Sequence, residues 1–186
     1  FDRPVDAVRR ANMSLGDIGE TAVLAKRGSV ADTALRLFRP LKFMLATPAE
    51  TEDEIFANFS GPFYVEDKYD GIRGQLHVEP GRAAIYSRTL DDVSGQFPEI
   101  VRSAARMSVS LIADGEVVAF KGGQVLPFSQ LQQRLGRKKP PEKLLAEVPV
   151  SLMIFDLLSL DGRTLIDEPL MERKKLLQEI QWLETI

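Results

Sequence analysis

The sequence predicts an α+β fold in which helical segments flank a mostly antiparallel sheet. Three observations predict it. Four runs carry strand character, Arg73 to Val78, Ala83 to Arg88, Leu111 to Val118 and Val150 to Leu158, either by alternation or by continuous apolar character. Asp-Gly or Pro-Gly pairs punctuate them at Asp70-Gly71, Pro80-Gly81, Asp114-Gly115 and Asp161-Gly162, the dipeptides that reverse a chain most readily. Helix signals gather before residue 60 and after residue 168, with shorter helices alternating with strands between.

Taken in order, residues 5 to 13 and 17 to 27 read as two helices, antiparallel neighbours, with Asp17 near the start of the second and Gly28 at its end. Thr51-Glu52-Asp53-Glu54 fits a capping box for a helix running to about Phe59 and stopped by Gly61-Pro62. The next segment reads as extended, which would put Glu66 and Lys68 on one face and Val65 and Asp67 on the other; Asp70-Gly71 then turns the chain back. The run ending at Tyr86-Ser87-Arg88 pairs with Arg73 to Val78 across Pro80-Gly81. Leu111 to Val118 is a strand whose Asp114-Gly115 reads as a second turn, with Glu116 beyond it. Val150 to Leu158 is apolar except for Ser151 and Asp156, the pattern of a strand buried on both faces. The last helix is expected from about Glu172 to Glu184.

A chain of 186 residues, 44% hydrophobic, can bury one sizeable core plus a small appendage. Its net charge of −3 is unevenly spread: residues 1 to 47 hold eight Lys/Arg against five Asp/Glu, and the remainder sixteen against twenty-two. The only dense basic run, residues 134 to 143, is broken by Pro140-Pro141 and reads as a helix end and solvated loop able to touch phosphates. There is no cysteine and one histidine, His77, which excludes a disulfide framework, a thiolate metal site and a multi-histidine zinc centre. Any metal would be a hard, oxygen-bound ion of the Mg²⁺ type, and His77 reads as structural. No membrane-spanning run or signal-peptide pattern is present, so no membrane partner and an intracellular setting are expected, cytoplasmic in a prokaryote or nuclear in a eukaryote.

The chemistry concentrates in Glu66-Asp67-Lys68-Tyr69-Asp70-Gly71-Ile72-Arg73. A lysine nucleophile needs cationic neighbours or a bound divalent ion to expose its free amine; Arg73 follows closely and Arg88 stands in a second motif. This octapeptide resembles the K-x-D-G-x-R signature of the ATP-dependent DNA ligases and of their relatives, the RNA ligases and mRNA capping enzymes. The resemblance implies that Lys68 becomes covalently attached to AMP, with Glu66 and Arg73 binding the nucleotide.

Further motifs follow in the family's order. Ser87-Arg88 resembles the ligase S-R motif, which implies that Arg88 contacts the nucleotide sugar and phosphate; Thr89 stands where many members have asparagine or lysine. Asp114-Gly115-Glu116 resembles the D-G-E motif, which gives Glu116 to the ribose and to Mg²⁺. Phe155 lies in a segment similar to the one whose ring stacks on adenine, and Pro169-Leu170-Met171-Glu172-Arg173-Lys174 resembles the P-L-x-E-R-[RK] run that opens the next helix. Lys68 and Glu116 are 48 residues apart and Glu116 and Phe155 are 39, spacings similar to the family's. Phe128 to Arg137 resembles a helix found in many DNA ligases, a match that RNA ligases and capping enzymes share less well.

The resemblance implies an adenylation domain of the antiparallel-sheet nucleotidyltransferase type, ATP-grasp-like, at residues 48–186. Residues 1–47, through Val8-Arg9-Arg10-Ala11 and Phe38-Arg39-Pro40-Leu41 to Met44-Leu45-Ala46, resemble the end of a helical DNA-binding domain. ATP, Mg²⁺ and nicked duplex DNA are the expected cofactors and partners, and a monomer the expected state. The family's E-G-x-[VI]-x-K motif, later lysine pair and OB-fold do not occur within these residues, so the chain reads as a ligase fragment, impaired in lysine adenylation and unable to seal nicks alone. A degenerate remnant that binds nucleotide or DNA is the alternative; an RNA ligase or capping enzyme is disfavoured by residues 1 to 47.

Overall fold

The computed structural model describes residues 2–30, 34–44 and 46–186; Leu45, within the Met44-Leu45-Ala46 run, lies outside the described residues. The first helix, α1 (Val5–Leu15), ends at Gly16 in the left-handed conformation. The second, α2 (Ile18–Arg27), starts where the Asp17 carboxylate accepts the Glu20 N–H at 2.8 Å, and closes at Gly28 with φ +83°, the two caps expected from their residue types. These helices pack through Ala11, Leu15, Ala25 and Val30, a small core separate from the main one. Thr51 caps α3 (Glu52–Asn58) by accepting the Glu54 N–H. No residue of that helix is buried.

The main body is a sheet built from β1 (Ile72–Glu79), β2 (Arg82–Tyr86), β3 (Leu111–Lys121), β4 (Gln124–Val125), β5 (Val150–Leu160) and β6 (Arg163–Thr164). The order is β2-β1-β3-β5-β6, antiparallel throughout, with β4 paired to β3. The helices α4 (Pro98–Ala104), α5 (Phe128–Gln132), α6 (Glu142–Glu147) and α7 (Leu170–Glu179) complete the fold. Cross-strand register separates the two faces. Ile85, Leu76, Ala113 and Leu157 align across four strands on the core face. Tyr86, Gln75, Asp114 and Asp156 align one step along, on the opposite face.

That second face is polar, and residues 34–44 lie across it as a strap. The Phe38 N–H donates to Nδ1 of His77 at 2.9 Å, which leaves Nε2–H to donate to Oε1 of Gln75 at 2.9 Å. The Leu41 N–H donates to the same Gln75 oxygen at 2.8 Å, and Gln75 Nε2 donates to Asp114 at 3.3 Å. Tyr86 Oη donates to the Phe38 carbonyl. Gln75 and His77 are buried, so each strap contact satisfies a group that would otherwise be costly to desolvate.

Several expectations change in the fold. Asp114-Gly115 is no turn: β3 runs straight through it. Gly115 is required for a different reason, since a Cβ there would lie 2.7 Å from the Met153 carbonyl of β5, beside a register shift that leaves Phe155 between the Asp114–Asp156 and Gly115–Ile154 pairs. Residues 63–70 form no strand, and Asp70-Gly71 bends the chain into β1 instead of closing a hairpin. The strand after Pro80-Gly81 stops at Tyr86, leaving Arg88 in the following turn. Val150–Leu160 is only partly buried on its second face. Arg134, read as part of a solvated basic run, is fully buried, paired with Glu99 and donating to the Gln96 and Val148 carbonyls. The last helix ends at Glu179 because the chain then folds back on β5, where Thr185 accepts the Leu152 N–H at 2.9 Å.

Candidate active site

The segment that carries Lys68 meets the sheet where β1 begins. Its approach is set by Gly71: a Cβ there would sit 2.2 Å from the Val117 carbonyl, so only glycine lets the chain pass this close to β3. The Gly71 N–H serves Glu116, and Lys68, Arg73 and Asp70 are all near enough to bias the Glu116 carboxyl. Burial raises the Glu116 pKa; Lys68, Arg73 and the Gly71 N–H oppose the rise, and Asp70 adds to it. Arg73 and Glu116 are direct cross-strand partners. The structure therefore brings Lys68, Arg73 and Glu116 together, with Lys68 itself exposed.

Arg73 is the hub between this corner and the strapped face. It donates from Nη2 to Asp114 at 2.8 Å. Its guanidinium carbon lies 4.2 Å from the centre of the Phe43 ring on the strap and 5.3 Å from that of Phe155, cation–π contacts that hold the guanidinium plane in place. Among the described residues, its buried Nε has no hydrogen-bond partner. Burial raises the pKa of Asp114, opposed by Arg73 and Gln75 and reinforced by Asp156. A cavity of about 510 Å³ opens beside Arg73, Asp114, Asp156 and Arg173, under the strap residues Leu41 to Met44.

Phe155 stands half-buried at the β5 irregularity. Glu66 is paired with Lys174 of α7, whose ammonium also donates to the Phe155 carbonyl. Arg88 is exposed, in a turn organised by Ser87, whose hydroxyl accepts the Thr89 and Asp91 N–H groups, each at 3.2 Å. None of the described contacts joins Arg88 to the corner of Lys68 and Glu116. Sequence reasoning missed Gln75, Asp114, Phe43 and Lys174. The signal for the first two was the polar pair at alternate positions in β1, Arg73 and Gln75, with Asp114 two residues before Glu116; Phe43 gave none, since only the fold brings it near, and Lys174 stood in the Pro169–Lys174 run with no sign of its pairing. No group of three or more His, Cys, Asp or Glu suited to a metal forms among the described residues, and no helix among them is long and apolar enough to cross a membrane.

An antiparallel sheet with one polar face, carrying a lysine, an arginine and a carboxylate at one corner, has the build of a nucleotidyltransferase domain. A family model described as "ATP dependent DNA ligase domain" matches residues 43–184, and the chain belongs to that family. The chain is 49% identical to a "Probable DNA ligase" of Koribacter versatilis, over 97% of this chain and 31% of that protein. It is 35% identical to a "DNA ligase" of Methanocorpusculum labreanum, over 97% of this chain and 33% of that one. The chain thus spans about a third of the length of these curated relatives. Among solved structures, the ligase domain of M. tuberculosis LigD superposes with a TM-score of 0.50 at 32% identity, covering 61% of this chain and 35% of that one. A mycobacterial DNA ligase D complexed with ATP matches to the same extent at 31% identity.

Proposed function

We propose that this chain is the nucleotide-binding part of an ATP-dependent DNA ligase and that Lys68 is its nucleophile. The observation that carries the reading is the meeting of an exposed Lys68 with Glu116 and Arg73 at one corner, beside a half-buried Phe155. The free amine of Lys68 attacks the α-phosphorus of ATP; a nitrogen–phosphorus bond forms, the α–β anhydride bond breaks, pyrophosphate leaves and the amine loses a proton. Arg73, stacked and ion-paired, holds its fork of donors fixed while charge shifts between the phosphates. Phe155 offers a ring face for the base, Glu66 an exposed carboxylate, and Arg88, exposed in its turn, a cation for the sugar and phosphate.

Glu116 fits Mg²⁺: its pKa is raised by burial and by Asp70, and a hard dication held by one or two carboxylates together with substrate phosphates would relieve both. When bound, Mg²⁺ would neutralise phosphate charge during the transfer. In the longer protein, AMP would pass to the 5′-phosphate of nicked duplex DNA and the 3′-hydroxyl would then displace it to seal the nick. Residues 1–47, whose two helices share a small core and whose last part straps onto the sheet, are the end of a DNA-binding domain, and residues 48–186 belong to the adenylation domain of a cytoplasmic or nuclear, monomeric enzyme.

Incubating the chain with Mg²⁺ and ATP labelled at the α-phosphate tests this. Label that survives denaturation on the wild type, formed slowly, and is lost in Lys68→Ala is the expected result. Label that persists in Lys68→Ala overturns the assignment of the nucleophile, and a wild-type chain that neither binds ATP nor acquires label overturns the whole reading.

A further inference from the structure

We propose that Lys174 is a positioning residue for the nucleotide site, tying the Glu66 carboxylate to the backbone of Phe155 so that the two face the same base. The inference rests on the nucleotide pocket proposed above. Lys174 is 8% exposed, a burial that lysine tolerates only when its charge is paired. Its ammonium has two partners, Glu66 and the Phe155 carbonyl. They come from different elements: Glu66 from the unpaired segment before β1, 108 residues away, and Phe155 from β5, 19 residues away.

Both partners lack the usual means of being held. Residues 63–70 have no strand ladder, and among the described residues Lys174 is the one side-chain hydrogen-bond or ion-pair partner of Glu66. Phe155 is one of two β5 residues skipped by the β3–β5 register; the carbonyl of the other, Leu158, accepts the Leu165 N–H, and that of Phe155 takes the Lys174 ammonium. The pair is also asymmetric. The Lys174 side chain is 10% exposed and that of Glu66 47%, so the lysine lies behind the carboxylate and leaves its outer part open to a ligand. A lysine so placed orients Glu66 without being a contact itself.

The chemistry predicts a selectivity. A carboxylate held at the edge of a base stacked on Phe155 accepts from an exocyclic amino group and repels a carbonyl oxygen, and adenine carries an amino group where guanine carries a carbonyl. Loosening the carboxylate should therefore weaken ATP more than GTP. Detachment of α7 is a separate matter, because Arg173 anchors that helix by donating to both oxygens of Asp156 at 2.8 and 3.1 Å.

Titration calorimetry with ATP and with GTP, on the wild-type chain, Lys174→Met, Glu66→Ala and the double variant, tests this. Lys174→Met is expected to raise the ATP Kd about 10-fold and the GTP Kd less than about twofold, and the double variant to bind ATP within about twofold of Glu66→Ala alone, the non-additivity of residues acting as one. Lys174→Gln, which keeps a donor for the Phe155 carbonyl without the charge, takes the same role if the methionine variant does not fold. Unchanged ATP affinity, equal losses for ATP and GTP, or a double variant whose loss is the product of the single losses each overturns the inference while leaving Lys68 in place. A wild-type chain that binds no ATP overturns the pocket and the inference together.

Discussion

The two sides of Arg73 are built on different terms. Toward the strap, Gln75, His77, Asp114 and Tyr86 form a closed set of hydrogen bonds with residues 38 to 41. Toward Lys68, the chain is exposed, has no strand partner, and depends on the close pass at Gly71 and the Glu66–Lys174 tether. A closed network of buried donors and acceptors is rigid because breaking any one bond strands its partner. The open segment has little to break, which suits the nucleophile proposed for Lys68. On the proposed reading, the groups that orient are closed into a network and the group that reacts is not.

The largest expected way to break this contrast is Gly71→Ala. The added methyl group meets a backbone carbonyl at 2.2 Å, so the whole Lys68 segment must move off β3. A displacement of this kind should slow adduct formation about 100-fold, with thermal denaturation of the core little altered; a variant that labels at the wild-type rate would show that the close pass is dispensable.

Acid should act on the other side. Burial lowers the His77 pKa to about 3, whereas an unfolded histidine titrates near 6.5. Between these values the unfolded chain binds the proton and the folded one does not, so stability is intact above about pH 6.5 and falls by up to roughly 1.4 kcal/mol per pH unit toward about pH 3. Urea unfolding across that range should show the slope, and His77→Gln should flatten it by about one proton.

Gln75→Leu should follow, costing about 2–4 kcal/mol in urea unfolding, because the Leu41 N–H and His77 Nε2–H lose their acceptor. Limited proteolysis should then cut within residues 34–44 before the sheet is lost; an unchanged cleavage pattern would mean that the strap is held by other contacts. The smallest effect on stability is expected for Arg88→Ala. With an exposed side chain outside the corner, it should shift stability by less than about 0.5 kcal/mol while weakening ATP binding, so a variant that loses stability but not affinity would mark Arg88 as structural.

The sequence by itself determined what depends on local chemistry. Asp17 and Gly28 bounded α2 and Thr51 capped α3, because caps are satisfied within one turn of their own residue. Pro80-Gly81 and Asp161-Gly162 turned the chain where expected, with Gly81 at φ +88° and Gly162 at φ +82°. The order of the motifs around Lys68, Arg88, Glu116 and Phe155, with residues 1 to 47 and Phe128 to Arg137, pointed to the family. Other features depend on which strands become neighbours, and only the tertiary structure decided those. Asp114-Gly115 carries the same two letters as a hairpin turn, yet it lies inside β3, where glycine admits the β5 backbone. Arg134 sits in a basic run but is drawn inside by Glu99, 35 residues away. Lys174 closes a recognisable run at the start of a helix, but that run does not say that Glu66 and Phe155 close on it. In each case the deciding partner is remote in sequence, and a residue's own type says what it can bond to without saying what the fold will bring.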